Sequence, residues 1–437
     1  MNLHGWGRYP IVDAQVTQVQ REASALQLLE NAQSKQQVLT PRGLGRSYGD
    51  SSLGDHVIDF SLQNRLINFN QESGLLECEA GTSLRDILNV FIPKGWFLPV
   101  TPGTQFVTVG GAIASDVHGK NHHLDGSFSQ YIESFRILTG TNEVLECSAD
   151  QRPDLFRATC GGMGLTGLIL TAKLRLRPIK SSDILCRSIR AENLEQLIAL
   201  FDEHVDSPYS VAWIDCLKGG AHLGRSILML GEHAEDGPLQ VAGDAGLTIP
   251  KLFPGELLNH TTISAFNTLY YHRSPKTMAA QRMSYRPYFY PLDSLNDWNR
   301  MYGRKGFVQY QFMIPKTSGA NSMRKIIEAI AASGKGSFLA VLKTFGPGNN
   351  NDLSFPGEGW TLALDFRFDD GVLELLDRLD EMVLDVGGRV YLTKDARLKA
   401  QSFRRAYPNW EKFEATRARY GAHGRFASAQ SLRLGLL

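Results

Sequence analysis

The sequence predicts an α+β protein of more than one domain, and three observations carry that expectation. Short β-like runs alternate with short amphipathic helices, and glycine clusters punctuate them, mainly in the first 170 residues. The texture changes after Pro178, where longer helical and strand-like runs take over. At 437 residues the chain exceeds one compact core, given roughly 100–200 residues per domain.

In the first part, Val57–Phe60, Leu66–Phe69, Leu75–Ala80 and Phe135–Leu138 read as strands. Leu76-Glu77-Cys78-Glu79-Ala80 alternates as a half-buried strand requires. Ser83 opens a helix, with Asp86 three positions on to complete a capping box and Leu84, Ile87, Leu88 and Phe91 as its apolar face. Pro93 and Gly95 stop it. Beyond residue 180, stretches near 190–204 and 321–333 read as helices, and Val211–Ile214, Phe307–Ile314, Phe338–Phe345 and Thr361–Phe368 as strands of a sheet. Residues 231–260, rich in Gly, Pro and polar side chains, read as a long mobile excursion. The organisation expected is one domain over 1–180, a second over 181–388, and a C-terminal segment over 389–437.

Composition narrows the function classes. Hydrophobic residues at 43% and charged residues at 21% describe a soluble globular protein, neither disordered nor fibrous. A net charge of +1 argues against a nucleic-acid binder. No apolar run reaches the ~18 residues of a membrane-spanning helix. No secretory signal is visible at the N-terminus, so a cytoplasmic location is expected. Cys78, Cys147, Cys160, Cys186 and Cys216 never adopt CxxC spacing, which reads as buried reduced thiols. His118, His122 and His123 are close in sequence but lack a helical i,i+4 partner, so no metal is expected. From Ala396 onward nine Lys/Arg face two Glu; this is a solvated helix face or, functionally, a basic surface for phosphate groups or a membrane.

Three loops carry the chemistry. Pro41-Arg42-Gly43-Leu44-Gly45-Arg46-Ser47-Tyr48-Gly49-Asp50 lets backbone N–H groups approach an anion, yet it ends in no Gly-Lys-Ser/Thr and lacks the third glycine of a dinucleotide fingerprint. The second runs from Leu98 through Gly103 and Thr108-Val109-Gly110-Gly111 to His118-Gly119-Lys120-Asn121. The third is Gly161-Gly162-Met163-Gly164-Leu165-Thr166-Gly167-Leu168-Ile169. Three such loops on one scaffold suit a long ligand carrying a pyrophosphate.

This ordered set resembles the FAD-linked oxidases of the vanillyl-alcohol oxidase type and, within them, the decaprenylphosphoryl-β-D-ribose 2′-oxidase family. The resemblance runs nearly end to end, through Gly5-Trp6-Gly7-Arg8, Arg42–Asp50, Thr108–Ile113, His118–His123, Trp298-Asn299-Arg300, Gln309–Phe312, Phe345-Gly346-Pro347 and Lys394-Asp395. It implies a two-subdomain FAD-binding domain of the PCMH type, to which the C-terminal segment returns. It also implies a substrate domain with an antiparallel sheet flanked by helices.

Residue by residue, the resemblance assigns Arg42, Gly43, Leu44, Gly45, Arg46, Ser47 and Tyr48, with Thr108, Val109, Gly110 and Gly111, to the FAD pyrophosphate. Gly103 and His118, Gly119, Lys120 and Asn121 approach the flavin and its linker, Ile169 the adenine end, and Tyr391 the cofactor from the C-terminal side. Many covalent-flavin relatives place a His where this chain has Arg46; a guanidinium cannot form that bond, so FAD is expected to be non-covalent. Lys394 matches the family's active-site lysine, with base and electrostatic clamp both open; in isolation a Lys-Asp pair reads as a surface ion pair. Tyr48 and His118 are the other catalytic candidates, and a lone His is more often structural. Trp213, Gln309, Gln311 and Lys343 match substrate positions, with core packing an equal reading for Trp213, and Phe345 supplies an apolar wall. Mycobacterial members carry a cysteine where this chain has Ala363, so thiol-directed inhibitors are expected to fail, and Thr361 replaces an Asn.

The implied activity is oxidation of the 2′-hydroxyl of a polyprenylphosphoryl-β-D-ribose. A separate short-chain NAD(P)H reductase then acts on the keto product, so that the pair epimerises ribose to arabinose for cell-wall arabinan. Peripheral membrane contact would follow, with 231–260 and the basic C-terminal region as candidates. Two other readings compete: an aldonolactone or alditol oxidase of small sugars, and a non-catalytic flavoprotein scaffold. Retention of Lys394, Tyr391, His118 and the two glutamines argues against the scaffold.

Overall fold

The computed structural model describes residues 1–243 and 246–436. Near the N-terminus, strands Gln15–Gln18, His56–Asp59 and Leu39–Arg42 form a parallel sheet. Parallel pairing needs a crossover, and helix Glu22–Ser34 supplies it between the first and last of these. That helix buries Ala25, Leu29 and Ala32, spaced at i, i+4 and i+7. The strand Leu39–Arg42 therefore ends by delivering Arg42 and the first glycine loop.

A second, antiparallel sheet has the order Val144–Cys147, Ile132–Leu138, Leu168–Arg175, Leu75–Glu79, Leu66–Asn70. Against it lies helix Leu84–Phe91, whose capping box forms as its sequence dictates: Ser83 Oγ accepts from the Asp86 amide at 3.0 Å. The helix gives way at Ile92–Lys94 to a 3₁₀ turn closed by Gly95 at φ +80°.

Eight antiparallel strands form the third sheet, in the order Ala279–Ser284, Asp183–Ala191, Ser226–His233, Tyr209–Ile214, Ala340–Phe345, Gly359–Arg367, Phe307–Pro315, Arg389–Val390. Period-two alternation divides each strand between two environments. Ala212, Tyr310, Phe312, Leu342, Leu362 and Leu364 pack with helices Leu194–Glu203, Ala320–Ala332 and Val372–Asp385 into one core. Trp213, Gln309, Gln311, Lys343 and Ala363 stand on the opposite face. In register Gln311 faces Ala363, and Ala363 faces Val341. The mixed α+β architecture is the one the sequence predicts.

Details differ. The strand expected from Phe338 begins at Ala340, and the helix expected near 190 begins at Leu194, because Asp183–Ala191 is itself a strand. Within 231–260, Ser226–His233 extends as a strand and Leu247–Thr248 pairs in parallel with Leu295–Asn296; residues 244 and 245 lie outside the described residues. Helix His260–Arg273 has no counterpart in the sequence reading, because apolar residues are spread around it rather than gathered on one face.

The C-terminal segment returns to the N-terminal sheet. Leu39 N–H donates to the Arg425 carbonyl at 2.9 Å, and Thr40 Oγ1 to Ala427 O at 2.7 Å. Its first residues, Arg389–Val390, complete the edge of the eight-stranded sheet. Of the two readings of the basic run from Ala396 onward, a solvated face and a basic surface for phosphate or membrane, the ion pairs favour the first. Arg397, Lys399, Arg405, Lys412, Arg417, Arg419 and Arg433, seven of the nine cations, pair with carboxylates. Arg404 lies over the Trp410 ring, and Arg425 donates to Asn142. Most of the positive charge of this segment is paired within the fold. Among the described residues, no helix is long and apolar enough to cross a membrane.

Candidate functional site

The three loops and the open face of the eight-stranded sheet enclose one cavity of about 650 Å³. Among the described residues five basic side chains line it, namely Arg42, Arg46, Lys120, Lys343 and Lys394, and no carboxylate does. An enclosed space with that imbalance is built for an anionic ligand.

Close backbone approaches shape the loop end. A Cβ on Gly43 would stand 2.3 Å from Thr108 Oγ1, so the first two loops touch only because residue 43 is glycine. Gly45 sits at φ +62° with the Arg42 guanidinium packed over it. Arg42 in turn donates to the His4 carbonyl at 2.9 Å. Arg46, where a flavin-linking His would stand, lies 4.0 Å over the Trp6 ring and 5.2 Å from Phe106. Thr108 Oγ1 accepts from Gly111 N at 3.1 Å. Gly43→Val is expected to pry these loops apart and leave purified protein with little visible flavin absorbance per mole, at a circular-dichroism spectrum like that of the parent.

At the sheet end Lys394 Nζ stands 3.8 Å over the Tyr48 ring. The C-terminal segment holds it there: Tyr48 N–H donates to Thr393 O at 3.0 Å, and a Cβ on Gly49 would meet Asp395 O at 1.8 Å. Lys394 and Asp395 do not form a surface ion pair. Asp395 turns inward to the Arg397 and Leu398 amides and to Arg433 at 2.9 Å, whereas Lys394 faces the cavity. Burial, with Lys343 adding to it and Asp365 opposing, lowers Lys394 to about 7. Burial likewise lowers Lys343 to about 8 and Lys120 to about 7. Burial pushes the Tyr48 phenol well up, so it remains a donor.

His118 is wedged between Phe345 (4.8 Å) and Tyr391 (5.1 Å). Its proton affinity falls well below the ordinary value through burial, with Lys343, His122 and Lys394 adding repulsion, so the ring is neutral. Gln311 Nε2 donates to His118 Nε2 at 2.9 Å and to Thr361 Oγ1 at 3.2 Å. The His118 proton then belongs on Nδ1, which is buried without a partner among the described residues. Such an orphan, the glycine cradle and the carboxylate-free wall fit a bound flavin nucleotide.

Gly103, Gly110, Gly119, Ile169, Tyr391 and Trp213 also line the cavity. Tyr391 donates to Ser115 O at 2.8 Å, and Trp213 Nε1 to Phe338 O at 3.0 Å while one ring face meets the cavity. Three expected contacts lie elsewhere. Val109 is buried in the helix Val109–Ala114, Asn121 donates to Pro99 O and Asp125, and Phe345 packs behind His118 and His122. Phe345 therefore buttresses the wall rather than forming it.

Sequence reasoning passed over Asp365. Its carboxylate accepts from Gln309 Nε2 at 2.5 Å and from the Tyr302 hydroxyl at 3.4 Å, and burial raises it to about 7. The available signal was parity: Asp365 shares with Thr361 and Ala363 the alternate positions of one strand, the face that carries no core residue.

Residues 14–148 match the family model of an FAD binding domain. Over the whole chain and 97% of the relative, the protein is 37% identical to the decaprenylphosphoryl-β-D-ribose oxidase of Mycolicibacterium smegmatis. It is 34% identical, over 81% of its length, to all of an uncharacterised protein of Streptomyces coelicolor. More distantly, it is 22% identical to an L-gulono-1,4-lactone dehydrogenase of Mycobacterium tuberculosis, over 91% of this chain and 90% of that one.

Proposed function

Since the chain belongs to the decaprenylphosphoryl-β-D-ribose oxidase family and carries an FAD-binding domain, we propose that it oxidises the 2′-hydroxyl of a polyprenylphosphoryl-β-D-ribose to the keto sugar. It is an FAD-dependent oxidoreductase. The cavity wall supports this substrate: with five basic side chains and no carboxylate among the described residues that line it, Lys343 at the sheet end is left for a phosphate beyond the two that FAD carries.

FAD bound in this cavity would supply the acceptor for the hydride that leaves the sugar carbon. The loop residues Arg42–Tyr48 and Thr108–Gly111 would hold its pyrophosphate, and Arg46, stacked on Trp6 where a flavin-linking His would stand, would leave it dissociable. Neutral Lys394 takes the 2′-hydroxyl proton and, once charged, faces Asp365. Tyr48 fixes the ammonium through its ring face. Asp365 engages the Gln309 amide N–H, leaving Gln309 Oε1 to accept from a sugar hydroxyl, and Gln311 is oriented likewise by His118 and Thr361. We assign 1–180 and 389–437 to cofactor binding and 181–388 to the substrate, and a separate short-chain NAD(P)H reductase to the keto product.

Anaerobic addition of farnesylphosphoryl-β-D-ribose is expected to bleach the flavin, and acid precipitation to leave yellow supernatant. Bleaching by free aldonolactones or polyols alone would move the protein to the lactone oxidases, its more distant relatives.

A further inference from the structure

Six of the seventeen large apolar side chains exposed among the described residues fall between positions 247 and 270: Leu247, Leu252, Leu257, Phe266, Leu269 and Tyr270. A concentration of that kind marks an interaction surface rather than ordinary surface scatter. Its scaffold is rigidly seated. Helix His260–Arg273 buries Ile263, Asn267 and Tyr271, and Asn267 Nδ2 donates to Asp215 at 2.9 Å. Phe266, Leu269 and Tyr270, on this helix, are thus held out by the fold.

The surface is continuous with the cavity. Phe266 and Tyr270 line it while 45% and 37% exposed, stacked on each other at 5.8 Å. Tyr270 meets Trp213 edge-on at 4.9 Å, and Leu258 packs near Trp298, another lining residue. Leu252 and Leu269, at 76% and 71% exposure, lie outside the lining. On the same stretch of chain Lys251, Arg273 and Lys276 are exposed, and none has a carboxylate partner among the described residues. Glu256, the one acidic residue between 247 and 276, is held by Arg367 at 3.0 Å.

We propose that this apolar, cation-rimmed segment docks on an anionic lipid bilayer and sets the cavity mouth against the leaflet. The inference rests on the lipid-linked substrate proposed above. Apolar side chains entering the interface with cations over the headgroups is the pattern of a peripheral membrane contact. A second copy of the chain would instead oppose two surfaces of like charge.

Holoprotein is mixed with vesicles of phosphatidylcholine containing a quarter phosphatidylglycerol, floated, and compared with phosphatidylcholine alone. Binding is expected to be at least tenfold tighter on the anionic vesicles, since each cation near such a surface contributes roughly fivefold. The double variant Leu252→Asp/Leu269→Asp and the triple variant Lys251→Glu/Arg273→Glu/Lys276→Glu should each lose at least tenfold. Both should keep the parent's flavin content and its turnover of farnesylphosphoryl-ribose, because none of these positions lines the cavity. Failure of the parent to float, or flotation of both variants like the parent, overturns the proposal. So does a dimer in light scattering that Leu252→Asp/Leu269→Asp splits, which would give the surface to a second copy. Turnover on the same preparations separates the two readings: turnover without flotation sinks the surface alone, and flotation without turnover sinks the substrate alone.

Discussion

Replacing Lys394 with alanine is expected to lower kcat about 10²–10³-fold with FAD still bound, the range found when a single charge-stabilising group is removed from an active site. The cavity gives the reason. Lys394 is lowered to about 7 by burial, so near neutrality a large fraction is the free amine that can accept a proton. Its depressed value also fixes the sign of the pH dependence: the neutral form gains as pH rises, so the chemical step should accelerate through about 7. Lys394→Arg tests the role directly. A guanidinium stays protonated, so as a substitute base it fails, and its kcat should match that of the alanine variant. An arginine variant that keeps most of the activity, with a rate falling above pH 7 in the parent, would show that Lys394 supplies only positive charge. Flavin absorbance should be unchanged in both variants, because the loop end of the cavity is built by other residues.

Arg433→Ala is expected to cost about 3–5 kcal/mol of folding stability, read from chemical denaturation, because it strands buried carboxylates. Arg433 donates to Asp50 at 2.7 Å and to Asp395 at 2.9 Å, and both aspartates are 4% exposed. Without the guanidinium the two carboxylates share a dry space. Adding Asp50→Asn should recover part of the loss, whereas the same change in the parent should destabilise. Activity should also drop beyond the loss of folded protein, since Asp395 follows Lys394 directly and its anchoring fixes where the lysine points. A variant with parental stability would mean that water enters and solvates the pair.

The local elements were legible because their signals are local. Ser83 and Asp86 with the apolar spacing of Leu84–Phe91 dictate a capped helix, and alternation in Leu75–Glu79 dictates a strand. The glycine loops were legible as ligand loops because few other roles need so many backbone approaches together. Helix His260–Arg273 escaped because its apolar residues serve two surfaces at once, the core through Ile263 and Tyr271 and the cavity mouth through Phe266 and Tyr270. The pairing of the basic C-terminal run was not legible for a related reason: charge counted along the chain says nothing of carboxylates outside the segment, up to 383 residues away, that pair with it.

By itself the sequence determined the α+β class, the three loops, the cofactor type through its resemblance, and Lys394 as the residue to watch. Only the tertiary structure decided what surrounds that lysine. Whether Lys394 pairs with its neighbour or faces a cavity depends on Arg433, itself held by Asp50, capturing Asp395, and on Gly49 admitting its backbone. Burial and charge, the two causes that set a proton affinity, are properties of neighbours in space, and those neighbours lie from 29 residues away, at Asp365, to 346 away, at Tyr48.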